Sequence, residues 1–308
     1  MDLTQIFGEG YGAFRSKYMV GQAIYIKDNS DSLFSELADN INHPLNEYLL
    51  AIYEHGLLSL LLALVILCYL GKISRKNPAY FLSVLSVLIT GFFSYPLKYW
   101  SILVILAFCL AKISRESKSF LVFRTNLLGA SFVAVLLLFV SLMVGKDAFY
   151  EYKWGRCYEF AKQGNNDEVV LTYDNIYRRW NNNPYFLYNY ASELNYLEQY
   201  EKSLYILSEC MDKLNDYDVQ MLQANNYFNL TNYSEAEKHY KLAGEMIPKK
   251  FMPSFQLIKL YEMTNQKEKM SDLIHRFLSR KPKVPSREIE IMKSIVEAKL
   301  TVIEKGML

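Results

Sequence analysis

Hydrophobic and polar positions divide the chain into two halves. Between residues 49 and 144 the apolar positions run together in blocks: Leu49–Leu70, Tyr80–Leu97, Tyr99–Ile113 and Phe120–Val144. A helix that spans a bilayer needs roughly 20 consecutive apolar residues. Blocks of this kind, separated only by short basic loops, predict four transmembrane helices. Beyond residue 146 the blocks disappear and apolar residues recur instead at helical spacing. Ala191, Leu194, Tyr200, Ser203, Leu207 and Cys210 are matched 33 residues later by Ala224, Tyr227, Tyr233, Ala236, Tyr240 and Ala243. Met270, Ile274, Phe277 and Pro282 follow Ala236, Tyr240, Ala243 and Pro248 by 34 residues. Cys157, Phe160, Val169, Tyr173 and Ile176 precede the set that starts at Ala191 by 34. Small residues at fixed positions let paired helices approach closely, and aromatics fill the gaps between them. A period of this length predicts stacked helix pairs, each of which buries its apolar face only against its neighbours. Asn183-Pro184, Pro248 and Pro282 are expected to stop the second helix of each pair, and Ser286 to about Glu304 reads as a closing helix.

Charge sharpens the division. Residues 1–146 carry 12 Lys/Arg and 9 Asp/Glu, and residues 147–308 carry 22 and 23. Lipid suits part of the first half and water the second. The net charge of +2 gives no basic footprint, so no nucleic acid is expected as a partner. No CxxC pair or His/Cys cluster suggests a metal. Of the four cysteines, Cys68 and Cys109 fall in apolar runs and read as small hydrophobes. Cys157 and Cys210 fall at helix-packing positions; a disulfide between them is admissible outside the cytosol, but spacing does not fix connectivity. Lone His239 and His275 on repeat helices read as surface or packing residues.

The loops set an orientation. Lys72, Arg75 and Lys76 follow the first apolar block, and Lys112, Arg115, Lys118 and Arg124 follow the third, whereas the intervening turn carries only Lys98. Basic loops stay cytosolic, which puts residues 1–47, the Ser94–Lys98 turn and residues 147–308 on the outer face. Residues 1–20 have neither a continuous apolar core nor a basic start, so no signal peptide is read there. Nothing ahead of residues 1–47 would carry them across. The expectation is a truncated or split protein, with further helices encoded upstream. The expected organisation is a loop over 1–48, four transmembrane helices over 49–146 and a repeat domain over 147–308. The fold class is all-α: polytopic transmembrane helices followed by an α-solenoid.

Candidate chemistry concentrates in residues 1–56. Gly8, Gly10 and Gly12 lie at a spacing of two in GEGYGAF. That spacing is not a dinucleotide fingerprint, but a glycine turn lets backbone approach an anionic headgroup. Arg15 offers charge-assisted, bidentate hydrogen bonds to phosphate oxygens. His43 lies in NHPLNEYL beside Asn46, and a neutral imidazole near pH 7 accepts a hydroxyl proton during bond formation, worth roughly 10²–10⁴-fold. Glu54, in EHGL at the start of the first apolar block, is costly near lipid unless partnered, and it is a candidate to orient His43 or His55. The bland alternatives are a flexible re-entry loop for the glycines, an interfacial turn for His43 and His55, and a carboxylate that still reaches water for Glu54.

In their order, the glycine turn, the Tyr18/Gln22/Tyr25 segment, Ala38-Asp39-Asn40, the His43 motif, Glu54-x-Gly56 and FSYPL at Phe93–Leu97 resemble the O-antigen ligase family, over residues 6–100 or so. Over residues 152–282 the repeats resemble the tetratricopeptide repeat, with Ala or Cys at the usual helix-pair glycine. The first resemblance implies an integral-membrane glycosyl transfer protein of the bacterial inner membrane. It would move a glycan from a polyprenyl pyrophosphate carrier to an acceptor hydroxyl, with neither a metal nor any other cofactor. His43, Asn46 and Glu54 map to the catalytic set, and Arg15 and the three glycines to substrate binding. His43 lies three residues ahead of Asn46, where many family members have His directly before Asn. The second resemblance implies a protein partner for the repeats, on the periplasmic side. The competing expectation is a non-enzymatic, membrane-anchored repeat protein that mediates protein–protein interaction at the periplasmic face.

Overall fold

The computed structural model describes residues 6–29, 33–74, 78–116 and 127–304. Among the described residues the regular structure is helical throughout, with no strand. The chain forms two compact units. One comprises residues 1–14 and 43–156, the other residues 15–42 and 157–308. The segment expected to form one loop over 1–48 is therefore shared between them.

In the first unit, α3 (Glu47–Ile73) is followed by α4 (Pro78–Thr90), a short 3₁₀ turn at Pro96–Lys98, α5 (Trp100–Glu116) and α6 (Leu127–Lys162). Two helices are long and apolar enough to cross a membrane, Glu47–Ile73 and Gly129–Lys162; the most apolar 18 residues of each have mean hydropathies of 2.3 and 2.1. Their apolar stretches are only 6% and 0% buried, so neither is the core helix of a soluble domain. The four spans expected from the sequence are not all of spanning length. Helices α4 and α5 have 13 and 17 residues, roughly 20 and 26 Å at 1.5 Å per residue, against a hydrocarbon core of about 30 Å. Polar and turn residues from Gly91 to Tyr99 cut these runs short, because the chain reverses there rather than continuing as helix. Helices α4 and α5 pack as a hairpin on the end of α3, around Val84, Cys109 and Ile113, with Leu70, Ile73 and Phe81 against them. The fourth expected span is continuous with the first repeat helix, since α6 runs unbroken for 36 residues. Its expected start at Phe120, and the loop cations Arg75, Lys76, Lys118 and Arg124, lie outside the described residues.

Helix α3 is not continuous. Gly56 has φ 72° and ψ −178°, which no right-handed helix accommodates. The break separates a short segment from the 17 residues Leu57–Ile73, and only the two together reach spanning length.

The second unit contains α1 (Ala13–Asp28), whose first two residues belong to the other unit, and α2 (Leu33–Leu37). Its repeat helices are α7 (Asn166–Trp180), α8 (Pro184–Tyr196), α9 (Tyr200–Met211), α10 (Tyr217–Asn229), α11 (Tyr233–Met246), α12 (Met252–Met263), α13 (Lys267–Ser279) and α14 (Arg287–Glu304). From α7 onward each helix packs on its successor, and α8 also meets α10. This is the nearest-neighbour stacking expected of a solenoid. The small residues read from the sequence are where helices meet: Ala191, Ala224, Ala236, Ala243, Ser203 and Cys210 are fully buried. Cys157 and Cys210 are both buried, and no disulfide joins them.

The turns repeat as well as the helices. Gly164, Glu198, Thr231 and Asn265 have φ of 71°, 60°, 57° and 54°, at spacings of 34, 33 and 34 residues. The turn inside each helix pair places one residue in the left-handed region. Asn183-Pro184 does not end a helix as expected. Helix α7 stops at Trp180, and Pro184 opens α8 with Asn183 as its cap, accepting from Tyr185 N and Phe186 N at 3.0 and 3.3 Å. Proline is tolerated there because a first-turn amide has no helical partner to lose.

Candidate functional site

The break in α3 takes its geometry from the glycine turn. Gly8, Gly10 and Gly12 have φ of 76°, 100° and 80°. Glu9 N donates to Tyr53 O at 2.9 Å, and Gly10 N donates to Glu54 O at 3.0 Å. In an unbroken helix those carbonyls would accept from amides four residues on. The reversal at Gly56 withdraws those donors, and the glycine turn replaces them. Both backbones come too close for side chains. A Cβ on Gly8 would lie 2.4 Å from the Glu54 carbonyl carbon, and a Cβ on Gly56 would lie 2.0 Å from Ile6 O. Ser59 Oγ donates to Gly56 O at 2.7 Å, closing the other side of the break. Phe14 packs edge-on to Tyr53, with ring centroids 5.7 Å apart.

The histidine motif is fixed separately. Asn46 caps α3, its Oδ1 accepting from Tyr48 N and Leu49 N at 2.9 Å each, while its Nδ2 donates to Phe92 O at 3.1 Å. Glu47 N donates to Gly91 O at 2.9 Å, and Tyr48 OH donates to Leu88 O at 2.7 Å. The His43 ring lies 6.3 Å from that of Tyr95. The NHPLNEYL and FSYPL stretches, far apart in sequence, are thus neighbours.

Six of the predicted site residues therefore fall into two groups on the first two turns of α3. Gly8, Gly10, Gly12 and Glu54 form one, and His43 and Asn46 the other. Glu54 is buried while its neighbour His55 is exposed. Gly8 is committed to the helix backbone, whereas Gly10 faces open space. Arg15 belongs to the second unit, where its carbonyl accepts from Asn215 N at 3.1 Å. Sequence reasoning took Gly56 as part of a helix start and missed the break. A glycine within an apolar run is the only local sign of it, and its partner Gly8 is 48 residues away.

The second unit packs part of the N-terminal segment against its repeats. Met19 and Ala23, one helical turn apart on α1, are fully buried and join a core with Tyr217, Met221, Met246 and Ile247. Gln22 Nε2 donates to Met246 O at 2.8 Å. Asn40 Nδ2 donates to Asp216 and Asp218 at 3.2 and 3.0 Å. Lys27 pairs with Glu245 and Lys249 with Glu36, at 3.6 and 3.2 Å. Burial, with Asp216 alongside, pushes the Asp218 carboxyl up, against the opposing effects of Lys250 and Asn40. The repeats thus hold α1 through Met19 and Ala23, and Asn40 beyond it.

No family model matches the chain, and no curated protein matches it. Among solved structures it is similar to MamA, residues 41 to the end, from Desulfovibrio magneticus RS-1. The identity is 14% and the TM-score 0.40, over 42% of this chain and 74% of that one. A similarity of that size carries no weight for function.

Proposed function

We propose that this protein is a membrane-anchored helical-repeat protein whose stacked helices bind a protein partner. The observation that carries this reading is the helix already held by the repeats: α1 buries Met19 and Ala23 in the repeat core. A surface that buries a helix of its own chain supports helix-in-groove recognition of a partner. Helices α3 and α6 supply the anchor, with long apolar stretches that lie almost wholly exposed and suit a bilayer core. The basic residues Lys72, Lys112 and Arg115 favour an orientation that leaves the repeats on the outer, periplasmic face of a bacterial inner membrane. Photocrosslinking in intact cells tests the reading. A benzophenone amino acid in place of the exposed Tyr205 should yield a discrete protein adduct, and the same group at Phe139 on α6 should yield lipid adducts. An array that gives no protein adduct from any exposed repeat position would overturn it.

A second reading is glycan transfer from a polyprenyl pyrophosphate carrier. It is favoured by the clasp between the glycine turn and the broken α3, because irregular backbone next to a spanning helix is tolerated where it is buried in protein or lines a water-filled cavity. In it, His43 is the base for an acceptor hydroxyl, Asn46 and Glu54 are its supporting polar groups, and Gly10 and Gly12 meet the donor. Unchanged cell-surface glycan in a His43→Ala strain would remove it.

A further inference from the structure

Residues 15–42 present a second face that the repeats do not use. On α1 and α2 the side chains of Met19, Ala23, Ile26 and Ser35 turn inward, as does Ala38 just after α2. Ile24, Tyr25, Leu33, Phe34 and Leu37 are instead 48–67% exposed. Tyr25 and Phe34 hold each other edge-on, 5.9 Å between centroids, so the patch bridges both helices. Its inner face is fastened by Gln22, Asn40 and the Glu36–Lys249 pair; it is a displayed surface and not a frayed end. Soluble surfaces rarely expose contiguous apolar residues in this way. Tyr and Phe with Leu and Ile are the composition that settles at the boundary between headgroups and acyl chains. The tether favours the same occupant. Leu37 precedes the first residue of α3 by ten residues, which span at most about 35 Å fully extended.

We infer that this patch is a lipid-binding surface that inserts shallowly into the bilayer interface, giving the repeat-bearing unit a membrane contact of its own beside the spanning helices. The inference rests on the membrane anchorage proposed above. It is tested on the full chain in phospholipid nanodiscs, carrying Cys68→Ser to remove the exposed thiol. Nitroxide labels are placed singly at Phe34→Cys, Leu37→Cys, Leu137→Cys and Tyr196→Cys. Oxygen concentrates in lipid and a nickel chelate in water. The oxygen-to-nickel accessibility ratio at residues 34 and 37 should approach that at residue 137 on α6 and exceed that at residue 196. A lipid-like ratio at 137 with a water-like ratio at 34 and 37 overturns the inference and leaves the anchorage standing. A water-like ratio at 137 overturns both. Labels at 34 and 37 shielded from both agents reveal a protein occupant, and so contradict the lipid assignment.

Discussion

Single residues explain where this chain bends and what the bends cost. Gly8 and Gly10 differ in a way that substitution exposes. Gly10→Ala meets nothing and costs only the left-handed backbone penalty, about 1–2 kcal/mol. Gly8→Ala adds a clash with the Glu54 backbone, so it should lower the thermal midpoint further and speed hydrogen exchange at the Glu9 and Gly10 amides. Equal effects from the two would contradict the clasp. Thr231 is β-branched and held at φ 57°; Thr231→Gly should therefore stabilise the repeat unit by about 1 kcal/mol in denaturant titration. His239 is buried against the Tyr227 ring, with its Nδ1 2.6 Å from Gln220 Oε1. Burial, with Lys238 nearby, holds its folded pKa below the ordinary value, against the opposing pull of Glu235. A depressed folded pKa means that the unfolded chain takes up the proton first. The stability contributed by neutral His239 is thus present above the unfolded pKa of about 6.5 and is lost as pH falls through the folded one. His239→Gln should flatten that slope in unfolding measured across this window.

At the level of elements, the repeats are held by buried polar connections as well as by size matching. Ser203 Oγ donates to Ala191 O at 2.6 Å, Asn226 Nδ2 donates to Ser203 Oγ at 2.8 Å, and Asn195 Nδ2 donates to Asn226 Oδ1 at 2.8 Å. The chain of bonds runs through α8, α9 and α10. Asn226→Ala should cost about 1–3 kcal/mol in unfolding free energy, since it leaves buried polar groups unpaired. The spacing of the repeats was legible because their contacts are local and the close-approach positions demand Ala, Ser or Cys. Asn226 was not, because its partners lie in the preceding pair of helices. The left-handed turns were half legible: Gly164 and Asn265 are residues that favour that region, whereas Glu198 and Thr231 hide it. The break in α3 was illegible for the same reason as Asn226. An apolar run reads as one span until a turn 48 residues away supplies the carbonyls' new donors.

For the whole molecule, the arrangement unites a loop that carries the candidate site residues with an array that holds the middle of that loop. Residues 15–42 lie between the glycine turn and the histidine motif in sequence, yet pack with the repeats. Nothing in their composition announced this, since a mixed polar segment of that length reads as a loop. The apolar block Tyr80–Leu97 likewise concealed that α4 is short, because it runs on past the turn at Gly91, whereas Tyr99–Ile113 is short already in the sequence. A partner that displaced α1 from the repeats would uncover Met19 and Ala23, and hydrogen exchange across α1 reports such displacement directly. The central claim is that apolar helices anchor the repeats at the outer face of a membrane. Cysteine accessibility in intact spheroplasts tests it most directly, with Tyr196→Cys on the repeats and Lys72→Cys in the first basic loop. The account predicts that a membrane-impermeant maleimide labels residue 196 without lysis and residue 72 only after it. Labelling of residue 72 in intact spheroplasts, with residue 196 protected, would contradict it.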